Sequence, residues 1–228
     1  GPPGTGKTSM MLRHIVDWLL QNTEENLLLL AYTNRAVDEI CESIERIGDH
    51  LRAQYIRVGS SFSTAPAFQA QLLQEQMTNI SNRKALKALI RSKRIFVATV
   101  ASISGKTELL QLKKFHRVII DEASQILEPM LVGLLPQFEH CLLIGDHQQL
   151  PAVVVQHPDL STVTDSDLNH IGIRDLRDSL FERLFRRCLE QKWDWAYDRL
   201  SQQGRMHREI MDFPNLNFYQ GGLEVLPP

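Results

Sequence analysis

No run of apolar residues in this chain is long enough to cross a bilayer, and its first residues lack a signal-peptide pattern. Cysteine is scarce. Cys41, Cys141 and Cys188 stand alone, with no C-x-x-C pair, which excludes a disulfide framework and a thiolate zinc site. All three lie in apolar stretches and are expected to be buried, reduced thiols of an intracellular protein, cytoplasmic or nuclear. His116, His140, His147, His157, His170 and His207 have no zinc-ligand spacing. Neither sign of charge dominates: 25 Lys and Arg face 27 Asp and Glu, a net charge of −2, so any nucleic-acid surface must be a local patch. There are no internal repeats and no low-complexity tracts. Position 1 is not Met, so the chain is expected to be a piece of a longer or processed protein. Its 228 residues suffice for one α/β domain and part of another.

What is present begins at once. Gly1, Pro2, Pro3, Gly4, Thr5, Gly6, Lys7 and Thr8 fit G-x-x-x-x-G-K-[ST]. Glycines let successive backbone N–H groups converge on one anion. Lys7 supplies a mobile positive charge for the β- and γ-phosphates, and the Thr8 hydroxyl suits Mg²⁺. Met11, Leu12, Ile15, Val16 and Leu19 recur at helical spacing directly afterwards, so a helix N-terminus adds its partial positive charge to the same place.

Hydrophobic runs at 27–32, 95–100, 118–121 and 142–145 read as buried parallel strands, and 54–58 as a shorter one. A helix opens at 33–35 with Val37, Ile40, Cys41, Ile44 and Ile47 on one face. Residues 60–80 are polar and look like an excursion from the core. Residues 83–94 form a basic amphipathic helix that either lines a nucleic-acid path or presents a solvated charged face. Residues 156–178 are polar and turn-rich, and a helix follows with Leu180, Phe181, Leu184, Phe185 and Cys188 on one side. Trp193 and Trp195 read as packing residues. The alternation of strands and helices predicts an α/β fold with a parallel sheet.

The strand at 118–121 ends in Asp121-Glu122. Asp121 is placed to bind Mg²⁺ through water, and Glu122 to polarise a water against the γ-phosphate. Two carboxylates near a phosphate site call for Mg²⁺ to offset their charge. The third signal, Gly145-Asp146-His147-Gln148-Gln149, is a polar turn after a strand, and its carboxamides suit sensing of a γ-phosphate.

In order along the chain, G-P-P-G-T-G-K-T, T-N-R-A-V-D, V-A-T-V-A-S, I-I-D-E-A-S-Q and I-G-D-H-Q-Q-L-P resemble the motifs of superfamily-one helicases. The group most similar in pattern holds the RNA helicase of nonsense-mediated decay, senataxin and the flap-processing nuclease–helicase. S-L-F-E-R-L and R-M-H-R-E-I-M-D-F-P-N-L-N-F-Y-Q-G-G-L extend the match. The resemblance implies a RecA-like P-loop NTPase domain over residues 1–196, with the excursion at about 60–94, and the truncated start of a second over 197–228. It implies ATP and Mg²⁺ as cofactors, with Lys7, Glu122, Gln149 and Arg205 catalytic. Residues 1–8 and Asp121 would bind nucleotide, and Thr8 and Asp121 the metal. Gln149 would sense the γ-phosphate, and Arg205 would stabilise transition-state charge from the second domain. Thr33, Asn34 and Thr99 would touch the backbone of single-stranded DNA or RNA; helix capping is the other role open to them.

The implied function is an ATP-dependent 5′-to-3′ helicase or translocase, of which this chain is an incomplete motor, weak or inactive alone. A P-loop switch that remodels protein complexes is the alternative, and a degenerate nucleic-acid scaffold a third. Two positions depart from the family: Gly204 stands where a base-stacking Tyr is usual, and Arg208 where Pro is usual. The strand feeding the phosphate loop is expected at the sheet centre. A chain starting at Gly1 should then leave an interior gap, and a continuous sheet would put that placement in error.

Overall fold

The computed structural model describes residues 1–226; the last two positions of the 197–228 segment lie outside the described residues. By internal contacts the chain divides into two compact units. One comprises residues 8–121 and 132–143, and the other residues 1–7, 122–131 and everything from Ile144 onward.

The first unit holds a five-stranded parallel sheet flanked by helices, the α/β arrangement of a RecA-like domain. In chain order its elements are α1 (Arg13–Asn22), β1 (Leu27–Ala31), α2 (Asn34–Glu45), β2 (Tyr55–Val58), α3 (Leu73–Met77), α4 (Arg83–Ser92), β3 (Ile95–Thr99), α5 (Val100–Ser104), α6 (Glu108–Leu112), β4 (Arg117–Ile120) and β5 (His140–Leu143). The strand order is β2-β3-β1-β4-β5. β1 is the core of the sheet, Leu-Leu-Leu-Leu-Ala with every residue fully buried, as expected of a parallel strand covered on both faces. Its register pairs Ala31 with Thr99 and Leu30 with Ile120. The carboxyl ends of β3, β1 and β4 therefore come out together, the edge where open α/β sheets bind ligands.

The five strands pair in one unbroken order, so the expected interior gap is absent. The Gly1 nitrogen donates to the carbonyl of Gly145, two residues past β5 in the chain. β5 is an edge strand of the five. The expected buried strand at 142–145 is only partly met: the strand is His140–Leu143, with His140 and Cys141 exposed and Leu142 and Leu143 half-buried, and the buried residues Ile144 and Gly145 follow it. Of the three cysteines only Cys41 is buried; burial pushes its thiol up to about 12.

Residues 60–72 are largely exposed or half-buried, with Thr64, Phe68, Gln71 and Leu72 buried. They fold back on β2, where Leu72 bridges Arg57 and is fully buried. The cause is Arg57, whose side chain has no exposed surface and whose Nη2 lies 2.9 Å from Asp38 Oδ1. The same guanidinium donates to Thr64 Oγ1, to Ser63 O at 3.4 Å and to Asn34 Oδ1 at 3.5 Å. Asp38 in turn accepts Ala65 N at 3.1 Å. One buried cation thus ties β2, α2 and the excursion.

In the second unit lie α7 (Pro158–Ser161), α8 (Ser166–His170), α9 (Leu180–Gln191), β6 (Gln202–Gln203), α10 (Arg208–Phe218) and β7 (Glu224–Val225). β6 and β7 pair in parallel across α10, a small β-α-β unit around Met211, Tyr219 and Leu223. Trp193 and Trp195 are not packing residues of a core: their rings lie 6.4 Å apart and Trp195 is 85% exposed. Among the described residues no helix is long and apolar enough to cross a membrane.

Removing one partner of a buried ion pair costs about 3–5 kcal/mol. Arg57→Ala is therefore expected to lower stability by about that amount, read as a lower urea midpoint, whereas substitution of the exposed Arg35 leaves the midpoint unchanged.

Candidate functional site

The phosphate loop owes its shape to two glycines of positive φ, Gly4 at 73° and Gly6 at 74°. Thr5 Oγ1 donates to Pro2 O at 2.7 Å, closing the loop. Lys7 folds over it: its Nζ donates to Gly1 O at 2.7 Å and the side chain is buried. The ammonium is thus held against the backbone of the loop by a carbonyl oxygen. Residues Lys7–Leu12 then wind as a wide π-type turn into α1, a local widening common at functional sites.

Gly4 is also where the second β-α-β segment touches the loop. Gly204 N donates to Gly4 O at 3.0 Å. A Cβ on Gly4 would collide with Cβ of Arg205 and lie 3.2 Å from Arg205 N. The backbone of Arg205 is held in turn by Gln203, a fully buried amide. Its Oε1 accepts Arg205 N at 2.9 Å and Met206 N at 2.7 Å, and its Nε2 donates to Met206 O at 2.9 Å. The sequence reading missed Gln203; a polar residue two positions before Arg205 carries no motif signal. At Gly204, a Cβ would meet Leu226 Cδ1 at 3.1 Å, so Leu226 stands against the backbone where the usual ring would start.

Thr8 and Asp121 are brought together in the sheet unit. The Thr8 hydroxyl donates to Asp121 Oδ2, and Asp121 is buried. Asp121 N donates to Leu30 O at 2.8 Å, which extends the β1–β4 pairing by one residue and fixes the carboxylate at the strand end. A hydroxyl and a carboxylate side by side are hard oxygen donors suited to Mg²⁺, which takes one or two protein ligands beside substrate phosphates and water. These two residues therefore fit the implied ion. No cluster of three or more His, Cys, Asp or Glu able to hold a metal occurs among the described residues.

Glu122, next in the chain, is left-handed at φ 50°. A non-glycine residue there is strained by about 1–3 kcal/mol, a feature that gathers at functional sites. The kink turns the chain sharply at the end of β4, and Ala123 N then donates to Ile144 O at 2.8 Å.

Gln149 is set by Asp146. Gln149 Nε2 donates to Asp146 Oδ2 at 2.8 Å, and Asp146 N donates to Ser124 Oγ at 3.3 Å. Gly145 is needed for the latter approach, since a Cβ there would lie 3.0 Å from Ser124 N.

Thr33 and Thr99 act as helix caps. Thr33 Oγ1 accepts Ala36 N at 3.1 Å, and Thr99 Oγ1 accepts Ser102 N at 3.1 Å. Thr33 is exposed, Asn34 half-buried and Thr99 buried at 5%. The Ala31–Thr99 register puts all three at the same end of the sheet.

A family model described as AAA domain matches residues 1–94 and 69–157, and a second, also described as AAA domain, matches 176–227. The DNA replication ATP-dependent helicase/nuclease DNA2 of Mus musculus is 31% identical over 226 residues, covering 98% of this chain and 19% of that protein. The DNA polymerase alpha-associated DNA helicase A of Saccharomyces cerevisiae is 30% identical over 274 residues, covering 98% and 38%. The Regulator of nonsense transcripts 1 homolog of Neurospora crassa is 28% identical over 252 residues, covering 98% and 21%. The chain thus spans from 19% to 38% of the length of these relatives.

Gly4→Ala places a Cβ at a positive φ, costing about 1–2 kcal/mol, and drives it into Arg205. The urea midpoint is expected to fall accordingly, while Gly133→Ala, where a Cβ meets nothing within 4 Å, leaves it unchanged.

Proposed function

Since the chain belongs to the superfamily-one helicases, matched by AAA-domain family models over most of its length, we propose that residues 1–196 are the first RecA-like motor domain of an ATP-driven translocase and residues 197–228 the start of the second. The parent protein then moves 5′ to 3′ along single-stranded DNA or RNA and unwinds duplexes. The observation that carries this reading is the seat of Arg205 on the phosphate loop, with Gly204 N bonded to Gly4 O. In this reading the γ-phosphate would lie beside that loop, within reach of an arginine from beyond residue 197 whose backbone is anchored there.

In this reading the loop amides and Lys7 bind the phosphates. Thr8 and Asp121 would hold Mg²⁺, which would supply positive charge to offset that of the phosphates. Glu122 accepts a proton from the attacking water, and Gln149 orients that water against the γ-phosphate. Arg205 neutralises charge as the bond to the leaving oxygen breaks; arginines in this role contribute about 10³–10⁵ in rate in related phosphoryl transfers.

Thr33, Asn34 and Thr99 serve the track. Helix starts and small donors contact phosphates without reading bases, which suits relatives named for both DNA replication and nonsense transcripts.

ATP hydrolysis by the full-length protein is expected to rise strongly with single-stranded DNA or RNA and to vanish in Lys7→Ala. Hydrolysis indifferent to both polymers would move the assignment to a protein-remodelling switch. The 228 residues alone are expected to turn over ATP slowly, as the directional cycle needs both domains to close. Turnover close to that of the full-length protein would contradict this.

A further inference from the structure

Tyr219 has no part in the roles above, yet it meets the γ-phosphate sensor. Its hydroxyl donates to Asp146 Oδ2 at 2.8 Å. Gln149 Nε2 donates to the same oxygen at 2.8 Å, and Gln148 N donates to Oδ1 at 3.1 Å. Asp146 and Tyr219 are both 5% exposed, so these bonds form with little competition from water.

The chemistry of the acceptor fixes the amide. A carboxylate only accepts, whereas a Gln side chain donates at one end and accepts at the other. Asp146 therefore selects the orientation in which Gln149 turns its nitrogen inward. One N–H then remains to donate to a phosphate oxygen, and Oε1 remains to accept from water. Rotation by half a turn would set two oxygens against each other. This selection holds only while the carboxylate keeps its own plane, and two donors converging on Oδ2 hold it there.

Tyr219 is itself rigidly mounted. Arg199 Nη2 donates to its carbonyl at 2.8 Å, and the guanidinium carbon lies 5.7 Å from the ring centroid. Asn215 clasps the turn after α10: its Nδ2 donates to Leu223 O at 3.1 Å and its Oδ1 accepts Leu223 N at 2.8 Å. Burial, aided by the hydrogen bond to Asp146, pushes the Tyr219 hydroxyl above the usual phenol range, so it stays a donor at neutral pH.

We propose that Tyr219 is a positioning residue for ATP hydrolysis, acting through Asp146 to hold Gln149 in the one amide orientation that can serve the γ-phosphate and the attacking water. The inference rests on the nucleotide-site reading given above. It ties the end of α10 to the sensing turn, so that displacement of the β6–α10–β7 segment alters detection of the γ-phosphate.

Tyr219→Phe tests it in the full-length protein, because it removes one oxygen and keeps the ring under Arg199. The measurements are kcat and KM for ATP, and affinities for ADP and for a non-hydrolysable ATP analogue, in Tyr219→Phe, Gln149→Ala and the double variant. Loss of one hydrogen bond is expected to lower kcat by about three- to tenfold. The preference for the analogue over ADP falls as well, and ADP affinity is unchanged. Tyr219→Phe adds nothing in the Gln149→Ala background, the mark of residues that act through one another. A merely structural hydroxyl would lower thermal stability without moving the ATP-to-ADP preference. Unchanged kcat, an unchanged preference, or losses that multiply in the double variant would overturn the inference while wild-type ATPase activity keeps the site reading intact. A wild-type protein that hydrolyses no ATP with or without polynucleotide overturns both. Should Tyr219→Phe not fold, Asp146→Asn, whose amide no longer dictates the orientation of Gln149, is expected to give the same loss of preference.

Discussion

Parallel pairing of β1 on both its edges is the constraint on which the placement of the chemistry depends. Five apolar residues, none with exposed surface, are locked to β3 and β4 in a register set residue by residue. Shifting that register by one would turn every side chain of the strand to the other face. The shared carboxyl edge is thus a product of burial, and the hydroxyls of Thr33 and Thr99 and the carboxylate of Asp121 inherit it. Glu122 then spends backbone strain to change direction within one residue of the sheet.

The parts legible in the sequence are those whose signals are local. The phosphate loop is a run of eight residues with its lysine and glycines in sight, and the Asp121-Glu122 pair follows a hydrophobic run. The buried strands β1, β3 and β4 announce themselves by composition. What escaped depends on partners distant in sequence. Arg57 reads as a charge that breaks an apolar strand, and only the fold supplies Asp38 and Thr64 to surround it. β5 looks buried because its residues are apolar, yet it lies at the end of the strand order. Tyr219 and Asp146 are 73 positions apart, and no periodicity links them. The expectation of an interior gap failed for a similar reason: the neighbour of a strand is set by topology, which composition does not encode.

Charge in this molecule is handled in two ways. Where function is not at stake, ions are buried with partners, as with Arg57. Around the turn over residues 145–149, among the described residues, the donors to Asp146 are neutral: a phenol, an amide and a backbone N–H. A neutral donor stabilises an anion without cancelling its charge.

The fastening at Arg57 has a consequence for how the chain can diverge. Both ends of the stretch between Leu72 and Ile95 are set, one by the bridge to Arg57 and the other by β3. The entropy of closing a loop rises only slowly with its length. Material added or removed within that stretch, around residues 78–82, all exposed but the half-buried Ile80, therefore leaves the sheet almost untouched. This is the natural port at which the chain can gain an appended module without renegotiating its core.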